Sequence, residues 1–81
     1  MINNISSSNL VRALQTVIQT YEENCHEQPS IQKIADHARS SYTTIREIKK
    51  GLLKSLSIKK ALEMSTWLNG PTTLEELLRL N

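Results

Sequence analysis

A chain of 81 residues with 10 basic and 8 acidic side chains has room for one domain, residues 1–81, and its single cysteine, Cys25, excludes an internal disulfide. No stretch approaches the roughly 18 apolar residues of a membrane span, and residues 1–10 lack the basic cluster and apolar run of a secretory leader, so a cytoplasmic protein with no membrane partner is expected. The net charge of +2 is too small for wholesale attraction to a polyanion, but residues 39–60 alone carry +6 against −4 on the rest, and steering depends on the local field.

The predicted elements are all helical. Period-two alternation is absent, and the punctuation is limited to Pro29, Gly51, Gly70 and Pro71. Residues 1–7 are expected to be flexible. Hydroxyl and amide side chains at 6–9 offer caps to a first helix. Its apolar face is Leu10, Leu14, Val17, Ile18 and Tyr21, and it ends near residue 24 or 26. After Pro29, Ser30 can cap a second helix over 31–37, with Ile34, Ala35 and Ala38 facing inward. Residues 39–42 read as a turn, and 43–50 as a third helix resting on Ile45 and Ile48. Gly51 tolerates the positive φ that ends a helix. A loop over 52–57 leads to a fourth helix carrying Ile58, Ala61, Leu62, Met64, Ser65 and Leu68, stopped by Gly70 and Pro71. Thr72 with Glu75, or Thr73 with Glu76, makes a capping box for a short last helix bearing Leu74, Leu77 and Leu78. The expected fold is all-α, a compact bundle of about five short helices.

Residues 30–51 hold the informative pattern. Two helices that meet over a three- to four-residue turn need a small residue at their contact, and Ala35 supplies it. The second of the pair needs apolar anchors, and Ile45 and Ile48 stand at i, i+3. Its opposite face then carries Tyr42, Thr43, Arg46, Glu47 and Lys50. Arg46 has the fork that grips guanine O6 and N7, and Glu47 can accept from cytosine N4. Short hydroxyl side chains at a helix N-terminus suit phosphate or base contacts. Lysines beyond the helix supply salt-sensitive, sequence-independent affinity.

This stretch resembles the Cro/C1-type (XRE-like) helix-turn-helix family of phage repressors and bacterial regulators. The family pattern is approximately Leu-Ala-x-x-x-Gly-Val-Ser-x-x-x-Ile-x-x-Ile-Glu-x-Gly. Ile34-Ala35, Ser41, Ile45, Ile48 and Gly51 match it without a gap, and Trp67-Leu68-Asn69-Gly70 looks like the close of the family's fourth helix. The resemblance covers residues 30–70. Arg39 stands where the family has its turn glycine, Ser40 where it has an apolar turn residue, and Lys49 where it has an acid that pairs with an arginine of the first helix. A charge-swapped pair of Lys49 with Glu23 or Glu27 is the corresponding expectation. The resemblance implies a lambda-repressor-like domain that binds double-stranded DNA. Tyr42, Thr43, Arg46 and Glu47 would then face bases, and Ser41, Thr44, Lys49, Lys50 and Lys54 would face the DNA backbone. It implies a transcriptional regulator, a repressor acting as a homodimer on a palindromic operator.

Other chemistry finds less support. Cys25, His26 and His37 lack the four-ligand spacing of a closed zinc site, so no metal or cofactor is expected. No serine has a plausible His–acid pair and no glycine-rich phosphate loop is present, so no enzyme is expected. Trp67 is expected to pack at the end of the fourth helix rather than to anchor a partner. Leu52, Leu53 and Leu56 are assigned to the core. Together with Leu74, Leu77, Leu78 and Leu80 they exceed what a short bundle hides, and the last helix, 72–80, is assigned to dimerisation through Leu74, Leu77 and Leu78. The rival function is a protein-interaction module, an antitoxin or an anti-activator, because a shared fold does not fix a shared function.

Overall fold

The computed structural model describes residues 7–81. It is built from five helices: α1 (Ser7–Glu23), α2 (Ile31–Ala38), α3 (Tyr42–Lys50), α4 (Ile58–Trp67) and α5 (Leu74–Leu78). There is no strand among the described residues. The flexible stretch expected over 1–7 lies outside the described residues except for Ser7, which is already helical.

Helix α1 is the hub. Leu10, Val11, Ala13, Leu14, Val17 and Ile18 are all buried along one side of it. That side packs on α3, α4 and α5, while α2 packs on α3 and α4. The shared core adds Ile34, Ala35, Ala38, Ile45, Ile48, Ala61, Met64, Leu68 and Leu77. These positions fall at helical spacing in every element, so burial of one stripe per helix drives assembly of the whole.

Hydroxyl side chains set the helix starts. The oxygens of Ser30, Ser41, Ser57 and Thr73 accept the N–H groups of Lys33, Thr44, Lys60 and Glu76, respectively. Each removes one orphan donor from a first turn, worth about 1 kcal/mol. At the last of these, the Thr73 hydroxyl also donates to the Glu76 carboxylate at 3.2 Å, so of the two registers the Thr73–Glu76 pair is the one that caps α5. The cap at Ser41 moves one boundary. Tyr42, read from the sequence as part of the turn, is the first residue of α3, and only Arg39, Ser40 and Ser41 separate α2 from α3.

The ends are set by left-handed residues. Arg39 has φ 56° and closes α2, with the Ser40 N–H donating to the Ala35 carbonyl at 2.9 Å. A side chain there costs about 1 kcal/mol relative to glycine. Arg39 is held by two contacts: its guanidinium lies 3.9 Å from the centre of the Trp67 ring, and Lys60 Nζ donates to its carbonyl at 3.4 Å. A cation over an indole face returns about 0.5–1 kcal/mol at an exposed site. Trp67, at the end of α4, packs against this arginine and remains 46% exposed beneath it.

Helix α4 stops at Trp67, before Gly70 and Pro71, because Asn69 turns left-handed at φ 64° and the Gly70 N–H donates back to the Ser65 carbonyl at 2.7 Å. Ser65 is wholly buried and donates to the Pro71 carbonyl at 2.6 Å. A Cβ at position 70 would lie 2.7 Å from Ser65 Oγ and 2.9 Å from Val17 Cγ1. Gly70→Ala is thus expected to lower stability by about 1–3 kcal/mol, read as a fall in the thermal midpoint. A melt superimposable on the wild type would show that the α4–α5 corner accommodates the methyl without strain.

Helix α5 corrects the assignment of Leu77 to a dimer interface. Leu77 is fully buried inside the monomer, and Leu74 and Leu78 pack partly against the same core. The Thr16 hydroxyl donates to the Leu80 carbonyl at 3.3 Å, pinning the end of the chain to α1. Leu77 therefore has no surface to offer a second copy. Among the loop leucines, Leu53 and Leu56 lean on the core as expected, whereas Leu52 is 61% exposed.

Candidate nucleic-acid interface

The candidate surface is the outer side of α3. Its sequence, Tyr42-Thr43-Thr44-Ile45-Arg46-Glu47-Ile48-Lys49-Lys50, has two large aliphatic residues, and both are completely buried. That pair fixes the rotation of the helix. With 3.6 residues per turn, Thr43, Arg46 and Lys50 stand opposite Ile45 and Ile48 at i, i+3 and i+7. All three are exposed.

Both ends of α3 are secured. Ser41 accepts the Thr44 N–H at 3.1 Å, and its own hydroxyl donates to Thr44 Oγ1 at 2.8 Å. At the other end Gly51 adopts φ 72°, and the Leu52 N–H donates to the Glu47 carbonyl at 2.8 Å. The Ile48 carbonyl accepts from Gln15 Nε2 at 2.9 Å, a bond from α1 to the last turn of α3. The helix is therefore anchored from below by the core and from the side by α1, a rigid platform for outward side chains.

The structure sorts the sequence-derived contact residues. Thr43, Arg46 and Lys50 share the outer stripe, with Tyr42 beside them at the N-terminal end and 46% exposed. Glu47 and Thr44 are only partly exposed, on the flanks. Ser41 and Thr44 spend their hydroxyls on each other and on the cap. Lys54 is exposed in the loop after α3. Lys49, expected at the DNA backbone, is turned toward α1 and forms an ion pair with Glu22. The partner expected from sequence was Glu23 or Glu27. Glu23 is exposed on α1, and Glu22 is the acid that points toward α3.

Two basic contributors escape a reading confined to residues 41–54. Arg39 sits in the α2–α3 connection over Trp67, and Lys60 reaches it from α4. The spacing of Lys60 and Trp67, seven residues apart on one helix, is the sequence signal for their common face.

The residues weighed for metal binding lie elsewhere. His37 faces the Tyr21 ring with centroids 5.4 Å apart, and Cys25 is half-buried near the end of α1. Burial and the neighbouring Cys25 push the Tyr21 hydroxyl above the usual phenol range. Among the described residues no three of His, Cys, Asp or Glu come together in a group that could hold a metal ion, and no helix is long and apolar enough to cross a membrane.

Comparison with protein-family models, with curated proteins and with solved structures finds no match to this chain.

Proposed function

We propose that the protein is a sequence-specific DNA-binding regulator whose α2–α3 pair acts as a helix-turn-helix, with α3 in the major groove. The observation that carries this reading is the outer stripe of α3: Thr43, Arg46 and Lys50 project from a helix whose opposite side is locked into the core by Ile45 and Ile48. A nine-residue helix of this kind fits the groove, and its stripe mixes one guanidinium fork with a hydroxyl and an ammonium. Tyr42 and Glu47 extend base contact at its edges. Lys50 and Lys54 contact phosphate.

The residues outside 39–60 carry a net −4 against +6 within them, so the charge pattern also supports approach through the basic segment. Binding as a homodimer to an inverted repeat suits a domain this small. With Leu77 inside the monomer, Leu52 and Ile58 are the exposed large aliphatic side chains left for the self-contact among the described residues. Repression by covering a promoter is the simplest action for a regulator of this size.

A mobility shift on fragments of the source genome tests the reading. A retained complex that weakens on the order of a hundredfold between about 50 and about 200 mM salt is expected for roughly four lysine–phosphate contacts per dimer. Absence of any salt-sensitive, sequence-selective complex would count against it, and capture of a protein partner in that case would favour the interaction-module reading.

A further inference from the structure

One lysine of the basic segment is tied to the neighbouring helix. Lys49 Nζ pairs with Glu22 Oε2, and the same oxygen accepts from Gln28 Nε2 at 3.1 Å. The Glu22 side chain is 14% exposed and that of Lys49 32%. Three segments meet at this carboxylate: the last turn of α1, the loop before α2, and the last turn of α3.

The pair has a local electrostatic cause. Helix α1 ends in Glu22 and Glu23 with no basic residue in its last turn, so two anions crowd the negative end of its dipole. The Lys49 ammonium offsets that charge from the neighbouring helix. Neighbouring Lys50 pairs with no acid among the described residues and stays on the outer stripe. Withdrawing Lys49 would leave the mostly buried Glu22 carboxylate with the Gln28 amide alone, which is costly for a charge removed from water.

Resting on the DNA-binding reading above, we propose that Glu22 is a charge latch: it holds Lys49 away from the phosphates in the bound state, and so limits the sequence-independent part of the affinity. The interface works with Lys50 and Lys54, while Lys49 remains a tie between α3 and α1. Glu22 is a positioning residue that touches no DNA and sets how many counterions are released on binding.

The experiment measures affinity of the full chain for one duplex across a salt series, for wild type, Glu22→Gln, Lys49→Ala and the double variant, with helicity checked by circular dichroism. Lys49→Ala is expected to keep the wild-type slope of log affinity against log salt. Glu22→Gln frees one Lys49 in each protomer, steepening the slope by about 1.8 for the two added contacts of the dimer and tightening binding by some tens of fold near 0.1 M salt. The double variant returns to the wild-type slope, a pattern that a purely structural loss does not produce. A slope that falls by about 1.8 in Lys49→Ala, or one unmoved in folded Glu22→Gln, overturns the latch while leaving DNA binding intact. If Glu22→Gln does not fold, Lys49→Ala decides alone. A wild type with no salt-sensitive duplex binding overturns the DNA reading itself, and the latch with it.

Discussion

Ile48→Ala is expected to destabilise the domain by about 2–5 kcal/mol, the range for truncating a buried aliphatic side chain whose site cannot fully collapse. Ile48 has no exposed surface, and it lies under the last turn of α3, where Gln15 bonds its carbonyl from α1. A domain of this length has a total stability of about 4–12 kcal/mol, so the loss is a large share of it. The thermal midpoint should fall by roughly 8–40 °C, taking about 4–8 °C per kcal/mol for a chain of this size. Ile45→Ala should act similarly, since Ile45 is equally buried one turn earlier. A midpoint shifted by less than about 3 °C in both would mean that these isoleucines do not anchor α3, and the outward stripe would lose its defined direction.

Arg46→Ala is expected to have the largest effect on recognition. Its guanidinium is exposed at the centre of the stripe, between Thr43 and Lys50. A bidentate contact to guanine discriminates by about 1–3 kcal/mol, or roughly tenfold to a hundredfold in affinity for the preferred site. Binding to unrelated duplex should change much less. Lys50→Ala should do the reverse, weakening all duplexes alike and reducing the salt slope by about 0.9 for each phosphate left unneutralised. Neither substitution touches the core, so circular dichroism should be unchanged. Selective binding that survives both would place the recognition surface elsewhere on the molecule.

The contrast between these substitutions shows what the sequence could and could not carry. Inward and outward positions on α3 were legible because Ile45 and Ile48 are its only large aliphatic residues and helical spacing fixes what stands opposite them. The cap at Ser30 was legible as a hydroxyl one residue ahead of an apolar-periodic run, and the Thr73 cap was one of two capping-box registers read from sequence. The start of α3 was missed by one residue because Ser40, Ser41, Thr43 and Thr44 all offer a hydroxyl, and only the backbone geometry selects Ser41. Pairings made across the fold were harder. Glu22, Glu23 and Glu27 are equivalent as charges, and the rotation of α1 decides which meets Lys49. The Arg39–Trp67 stack joins residues 28 positions apart, and no local pattern encodes it. Leu74, Leu77 and Leu78 form one apolar group in the sequence, but docking of α5 on α1 takes Leu77 wholly inside.

Selection of bound sites from a pool of random duplexes tests most directly whether the stripe of α3 reads bases. The expected result is an enriched inverted repeat with half-sites about 10 base pairs apart, its guanine-containing positions no longer enriched when Arg46→Ala is selected in parallel. A pool no different from its input at low salt, or the same enriched sites from wild type and from an Arg46→Ala, Lys50→Ala double variant, would contradict the account.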